Sequence, residues 1–471
     1  MSDRTTRRLL TALGLVALLG ASGCMSLAPE YQRPAAPVPA AYPTETAPTT
    51  AAAAAADVDW QAYFADPRLR RLVEIALANN RDLRIAVLNI EQARATYQVK
   101  RADELPTVGA GVQATRQPGS NGSLVNTYSV GLQVTSYELD FFGRVRNLSQ
   151  AALAQYLATD ESRKTVQIAL IASVANGYLN LLADDELLRV TRDTLLTREE
   201  SFKLTKLKFD NGAASELDFR QAESLLEGAR VTLASTLRQR SLDENALVLL
   251  LGQALPADLP APLPLAGQQV STELPAGLPS DLLARRPDVR SAEQQLIAAN
   301  ANIGAARANF FPRITLTGSV GTASTELNGL FKSGSSAWTF APQIVLPIFD
   351  AGRNKANLEV SKVNRDIAVA QYEKAIQSAF REVQDALAGR ATLGEQARAQ
   401  LAQTNAEQVR FKLADLRYRN GASSYLDVLD AQRSLFTAQQ GLVQVQAQQV
   451  QNLVTLYKVL GGGWTEPQAA K

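Results

Sequence analysis

One cysteine and no histidine set the chemical limits of this 471-residue chain. Without His there is no Ser–His or Cys–His dyad, no imidazole general acid or base, and no His-ligated metal. No nucleophile–base pair remains on which an enzyme could be built, and no cofactor is expected beyond a covalent lipid. The single thiol, Cys24, stands where a lipid can be attached. Arg4, Arg7 and Arg8 precede an apolar run over residues 9–19, too short to span a bilayer, and Ala21-Ser22-Gly23-Cys24 follows. The pattern is an export signal over residues 1–23 ending in a lipobox, with Cys24 as the acylated mature N-terminus. One lipid group is a marginal anchor, so a second membrane element is expected. The other residues spaced for local chemistry are Ser215 with Asp218 and Ser424 with Asp427. Each pair follows an Asn-Gly and reads as a capping box opening a helix.

Beyond these local pairs, the chain repeats itself. Phe209-Asp210-Asn211-Gly212-Ala213-Ala214-Ser215-Glu216-Leu217-Asp218 returns 209 residues later as Tyr418-Arg419-Asn420-Gly421-Ala422-Ser423-Ser424-Tyr425-Leu426-Asp427. The same offset carries Gly143-Arg144 onto Gly352-Arg353 and Leu251-Gly252 onto Leu460-Gly461, which means two equivalent halves. Each half contains about 65 residues without proline, from Arg144 and from Arg353. Val174, Leu181, Leu188, Leu195, Phe202 and Phe209 recur every seven residues, a coiled-coil seam on a rod on the order of 100 Å long. Asn211-Gly212 and Asn420-Gly421 end these helices, and shorter return helices stop at Gly252 and Gly461.

Ahead of each long helix the period changes from 3.6 to 2. Val108, Ala110, Val112 and Ala114 alternate with Gly109, Gly111, Gln113 and Thr115, and Tyr128, Val130, Leu132 and Val134 with Ser129, Gly131, Gln133 and Thr135. Ile314, Leu316, Gly318 and Val320, then Trp338, Phe340, Ile344 and Leu346, do the same in the second half. Four strands with one apolar face and one small, nearly uncharged face fit a transmembrane barrel better than half-buried hairpins of a soluble domain. No segment after the export signal has 18 consecutive apolar residues, so the bilayer is expected to be crossed by strands. Without residues 1–23, which hold three Arg and one Asp, the 48 basic and 46 acidic residues become even, and no nucleic-acid partner is expected.

The expected organisation is a signal over 1–23, a Pro- and Ala-rich tether over 24–66, and helices of the first half over 67–104. A transmembrane β-hairpin over 105–143, a helical hairpin over 144–252 and a Pro-rich linker over 253–279 follow. The second half has a helix over 280–310, a β-hairpin over 311–350, a helical hairpin over 351–461 and a tail over 462–471. The fold class is mainly α with a β-barrel part. Four strands cannot close a barrel alone, so several copies must share one, and three would give twelve strands.

These residues resemble the TolC/OprM-like outer-membrane efflux factors, in the lipoprotein branch that includes NodT-type proteins. The resemblance covers essentially the whole mature chain. It rests on Tyr31-Gln32-Arg33-Pro34, on Trp60 with Phe64-Ala65-Asp66-Pro67, and on Leu278-Pro279-Ser280-Asp281-Leu282-Leu283-Ala284-Arg285-Arg286-Pro287-Asp288. Its strongest part is Tyr418-Arg419-Asn420-Gly421 with Tyr425-Leu426-Asp427-Val428-Leu429-Asp430-Ala431-Gln432. The resemblance implies a homotrimer with a twelve-stranded barrel in the outer-membrane lipid of a Gram-negative bacterium and an α-helical barrel in the periplasm. It also implies docking to a periplasmic adaptor and an inner-membrane pump, of RND type, so that drugs or other small molecules leave in one step. Two other readings stay open: a lipid-anchored periplasmic coiled-coil adaptor or scaffold, and the outlet of a type I protein-secretion system. The lipobox favours efflux.

The resemblance also assigns roles. Leu426, Asp427 and Asp430 match the ring that pinches the tunnel at its periplasmic tip, where three copies of an acid would repel, raise a pKa and favour cations. Asp218 and Tyr418 match positions that link neighbouring helix pairs. The turns Asn211, Gly212, Ala213 and Asn420, Gly421, Ala422 match adaptor contacts. Asp218 is followed by Phe219-Arg220-Gln221 and Asp427 by Val428-Leu429-Asp430, so only the second copy carries paired acids, and the gate is placed there.

Overall fold

The computed structural model describes residues 26–39, 42, 58–120, 122–268 and 285–464. Cys24, the export signal, part of the linker and the end of the tail lie outside the described residues. The elements run α1 (Trp60–Tyr63), α2 (Pro67–Asn79), α3 (Arg81–Ala102), β1 (Val108–Pro118), β2 (Leu124–Leu139), α4 (Arg144–Asp210) and α5 (Glu216–Leu251). The second half gives α6 (Pro287–Ala308), β3 (Arg313–Ser324), β4 (Ser336–Val345), α7 (Arg353–Arg419) and α8 (Tyr425–Val459). Helices α4 and α7 are both 67 residues long and start 209 residues apart, so the repeat is kept without a gap through the long helices. Helices α3 and α6 are both 22 residues long but start 206 apart, so the extra three residues of the second half fall around its β-hairpin.

The four strands form one antiparallel meander, β1-β2-β3-β4. Side-chain alternation lines up across it: Ala110, Leu132, Val320 and Trp338 form one row, and Val108, Val134, Gly318 and Phe340 the next. On the opposite face Gly111, Gly131, Gly321 and Ala337 are in register, beside Gly109, Gln133, Ser319 and Thr339. The alternation does not run straight through β2. A bulge lies between Val134 and Tyr137, with Ser136 at φ 55°. It shifts parity by one, so Tyr137 and Leu139 join the apolar face opposite Leu316 and Ile314. Glu138 turns to the polar face and takes Arg144 (2.8 and 2.6 Å) and Arg313 (2.6 Å). Among the described residues β1 and β4 each keep one edge without a partner strand.

The sheet belongs to a compact unit that includes residues 88–161 and 291–374. Its helical core is built on small residues: Ala151 and Ala154 of α4 meet Ala298 and Ala301 of α6. The start of the expected tether is docked in this unit. Glu293 accepts from Tyr31 Oη (2.9 Å) and Arg33 (2.6 and 2.9 Å), Asn300 donates to the Pro29 carbonyl (2.7 Å), and Arg307 to the Leu27 carbonyl (3.0 Å). Those three holders are spaced by seven on α6, one face of the helix. A Cβ on Gly304, on that same helix, would run into Ala28 and Asn147.

The second unit includes residues 37–87, 162–290 and 375–471. Tyr63 stacks on Tyr457 (4.0 Å), and their hydroxyls donate to the carbonyls of Leu453 (2.8 Å) and Val58 (2.6 Å). Asp66 caps α2 through Arg68 N (2.7 Å) and also accepts from Tyr178 Oη (2.8 Å), which explains a buried carboxylate in the Asp66-Pro67 start signal. Among the described residues one helix, α4, is long and apolar enough to cross a membrane by average hydropathy, a property that uninterrupted apolar runs do not reveal. More than half of that stretch is buried inside the chain, where Ile171, Val174, Tyr178 and Leu181 form core.

The glycine row generates a test. A Cβ on Gly321 would collide with the Val130 carbonyl, whereas Gly109 faces open space. Gly321→Ala is expected to destabilise the sheet by about 1–3 kcal/mol and lower the temperature at which β-type circular dichroism is lost; Gly109→Ala is expected to leave it unchanged.

Candidate functional site

The two helical hairpins end in the same turn. Ala213 N donates to the Lys208 carbonyl (2.7 Å) and Gly212 N to Phe209 (2.9 Å); Ala422 N donates to Arg417 (2.8 Å) and Gly421 N to Tyr418 (3.0 Å). Asn211 and Asn420 each return a side-chain bond to the carbonyl four residues back (2.7 and 2.8 Å). Gly212 and Gly421 sit at φ 74° and 72°, the left-handed position a Schellman ending requires. All six turn residues are exposed. The charges beside these turns differ: Asp210 pairs with Lys206 (2.9 Å), while its repeat partner Arg419 pairs with Asp415 (2.8 Å).

Behind the turns the hairpins pack on one another. Ala222 of α5 and Tyr425, Val428 and Leu429 of α8 form a buried cluster joined by Phe202, Phe411 and Tyr418. The capping box expected at Ser215 is complete, with Ser215 Oγ accepting from Asp218 N (3.1 Å) and Asp218 accepting from Ser215 N (3.3 Å). At Ser424 it is not. The Ser424 hydroxyl donates to Asp427 Oδ2 (3.1 Å) and caps no backbone N–H, so the paired hydroxyl and carboxylate satisfy each other instead of the helix end.

Leu426, Asp427 and Asp430 share one face of α8, opposite the buried Val428, Leu429, Ala431 and Gln432. Leu426 is 61% exposed, an apolar side chain without cover in the chain. Asp430 is held by Arg433 (2.7 Å) on its own helix and by Arg410 on α7. The Arg410 hydrogen bond first, then that of Arg433, keeps its carboxyl below the usual range. Within one chain the electrostatics therefore run opposite to the raised pKa expected of a bare acid ring. Tyr418 packs at 5.1 Å from Tyr425, and Lys208 Nζ lies 4.0 Å over its ring, so Tyr418 links α7 to α4 of the other hairpin. Asp218 is engaged with its own cap.

A second line of polar residues runs along α4. Asp184, Thr191, Arg198 and Thr205 are all buried and lie seven apart. Asp184 Oδ2, Thr191 Oγ1 and Arg198 Nε have no hydrogen-bond partner among the described residues. The Leu/Phe seam marks one heptad position of α4, and the same seven-residue count at 184, 191, 198 and 205 marks this stripe in the sequence.

The sequence profile of the outer membrane efflux protein family matches residues 72–253 and 278–462, both halves and both helical tips. The chain belongs to this family. It is 49% identical over 472 residues to the toluene efflux pump outer membrane protein TtgC of Pseudomonas putida, covering 98% of this chain and 96% of that one. It is 45% identical over 464 residues to OprJ of Pseudomonas aeruginosa, covering 97% of each. The crystal structure of the open state of the MtrE outer membrane channel of Neisseria gonorrhoeae superposes with a TM-score of 0.86 at 44% identity, over 93% of this chain and 98% of that one. The protein is an outer-membrane channel of a Gram-negative efflux system, a transporter and not an enzyme. Its fold class is that of such channels, mainly helical and internally duplicated, with four strands given to a trimeric barrel.

In this efflux channel the polar stripe has a titration of its own. The Asp184 carboxyl is pushed up to about 7 by burial, then by the neighbouring Asp243 carboxyl and the charge of Asp185, with Arg240 opposing. An unfolded aspartate titrates near ~3.9, so between about pH 4 and 7 the folded chain keeps a proton that the unfolded chain has lost. Stability falls as pH rises through that window. Asp184→Asn is expected to flatten the slope of thermal midpoint against pH; an unchanged slope removes this pair as its source.

Proposed function

We propose that three copies of this chain form the passive exit duct of a tripartite pump for small molecules, gated by the Leu426, Asp427 and Asp430 face of α8. The observation that carries the reading is a sheet of four lipid-compatible strands with an unpartnered strand at each edge. Backbone groups at such edges cannot be left unpaired in hydrocarbon, so each β4 must meet the β1 of another copy. The relative named for toluene and the efflux relatives as a group support small apolar or amphiphilic cargo over a protein-secretion outlet. A scaffold without a pore would have no use for the strands.

The partners in this reading are a periplasmic adaptor, met by the turns at Asn211, Gly212, Ala213 and Asn420, Gly421, Ala422, and an inner-membrane pump of the RND type. Cys24 carries the lipid. What supports this reading is the lipobox itself; the segment that follows is tied to α6 through Leu27, Pro29, Tyr31 and Arg33. Opening at the tip requires α7 and α8 to move relative to one another or to the first hairpin. Arg410–Asp430 joins the first pair, and Lys208 over Tyr418 joins the second.

The repeat supplies a register for closure. At the junction of the halves Tyr137 faces Leu316 and Leu139 faces Ile314. Carrying Tyr137 forward by 209 gives Leu346, and carrying Leu316 back by 206 gives Ala110. The double variant Ala110→Cys/Leu346→Cys, with Cys24 retained, is expected to give oxidised trimers resistant to denaturing electrophoresis. Monomers only would place the closing strands in another register.

For the gate, Asp430→Ala and Arg410→Ala are each expected to raise single-channel conductance in planar bilayers several-fold, since either change frees α8 from α7. Unchanged conductance in Asp430→Ala takes that residue out of the gate. Loss of drug and solvent tolerance in a deletion strain, restored by the wild-type chain, tests the export role separately.

A further inference from the structure

The polar stripe on α4 contains one charge without a counter-charge among the described residues. Arg198 is 6% exposed. Its Nη1 donates to the Leu225 carbonyl of α5 (3.0 Å), its guanidinium carbon lies 5.4 Å from the centre of the Phe436 ring of α8, and its Nε is buried without an acceptor. A carbonyl and a ring face offset part of the cost of burying the cation. Losing the proton is not an available relief for a guanidinium. Burial pulls its pKa down, and no carboxylate pulls it back.

Beside it is a cavity of about 90 Å³, lined by Arg198, Thr194, Thr197, Gln432, Phe436 and Gln439. That is more than the roughly 10–15 Å³ a single water needs. Gln432 is also 6% exposed, with one end of its amide at Ser201 Oγ (3.1 Å) and the other without a partner. With its oxygen turned to the Ser201 hydroxyl, its NH2 becomes a second donor toward the cavity. Asp193 lies at the rim, but its carboxylate is taken by Arg189 (3.0 Å). The repeat gives an internal contrast: 209 residues on from Arg198 stands Glu407, which is paired with Arg410 (3.1 Å). The feature belongs to the first hairpin alone.

We infer that this cavity binds one small monovalent anion, a halide or a carboxylate no larger than acetate, between Arg198 and Gln432. The anion completes the charge of Arg198 and the donors left open around it, and it braces α4 against α8 of the other hairpin. The inference rests on the cavity and its side chains and does not depend on the gate assigned above.

The test uses the full-length trimer in detergent, with its thermal midpoint followed while chloride, or in a second series acetate, replaces gluconate at constant ionic strength. A saturable rise of a few degrees is expected, lost in Arg198→Gln and kept in Glu407→Gln. A rise with chloride only assigns a halide, and a rise with acetate only assigns a carboxylate. Wild-type crystals soaked in bromide are expected to show an anomalous peak within hydrogen-bond distance of Arg198 Nε. This decides the matter even if Arg198→Gln does not fold. Water in place of the peak, the Gln432 amide closed onto Nε, a neighbouring copy's carboxylate in the cavity, or an anion effect undiminished in Arg198→Gln overturns the proposal.

Discussion

The structure depends on two strand edges that have no partner among the described residues of their own chain. A row of free N–H and C=O groups is tolerable in water and intolerable in hydrocarbon, so the four-stranded meander is unfinished until other copies complete it. The segment after β4 shows the same incompleteness. Leu346, Ile348 and Phe349 follow the last paired residue, Val345, and are exposed, with Ile348 at 93%. These are apolar side chains whose partners must come from outside the chain. Duplication supplies the units readily, because one junction between halves, β2 with β3, already shows how the next junction can be made.

The two halves then share a backbone and differ in their polar chemistry. Both long helices have 67 residues and both end in the same hydrogen-bonded turn. The first places Asp184, Thr191, Arg198 and Thr205 along a buried heptad line; the corresponding line of the second has Leu393, Gln400, Glu407 and Ala414. Buried polar groups in a helical seam contribute little to stability but penalise every shifted register, since a slip leaves them facing apolar neighbours. Near the tips, where the apolar seam thins to the half-buried Leu195, Phe202 and Phe209, such groups fix which helix meets which.

Much of this was legible in the sequence because it depends on period. The gapless repeat, the proline-free rods, the Asn-Gly turns and the alternation of β1 through β4 are all one-dimensional signals. What was missed depends on partners far apart in the chain. The bulge at Ser136 could be suspected only from the parity change between Val134 and Tyr137, which is meaningless until β3 is laid beside it. Asp430 reads as a free acid until Arg410, 20 residues earlier, is brought across the turn. Ser424 with Asp427 has the spacing of a capping box, yet the hydroxyl turns to the carboxylate. The proline-rich start reads as a tether by composition, because nothing local announces that Glu293, Asn300 and Arg307 will hold it.

That docked segment bears on the order in which the molecule can be assembled. Leu27, Pro29 and Tyr31 are held by residues 280, 271 and 262 positions further along the chain. In a chain that enters its compartment N-terminus first, the earliest residues to arrive are among the last to find their place. Through most of delivery this segment has nothing to bind to. Its docking is then coupled in time to the completion of α6, the one helix that supplies Glu293, Asn300 and Arg307.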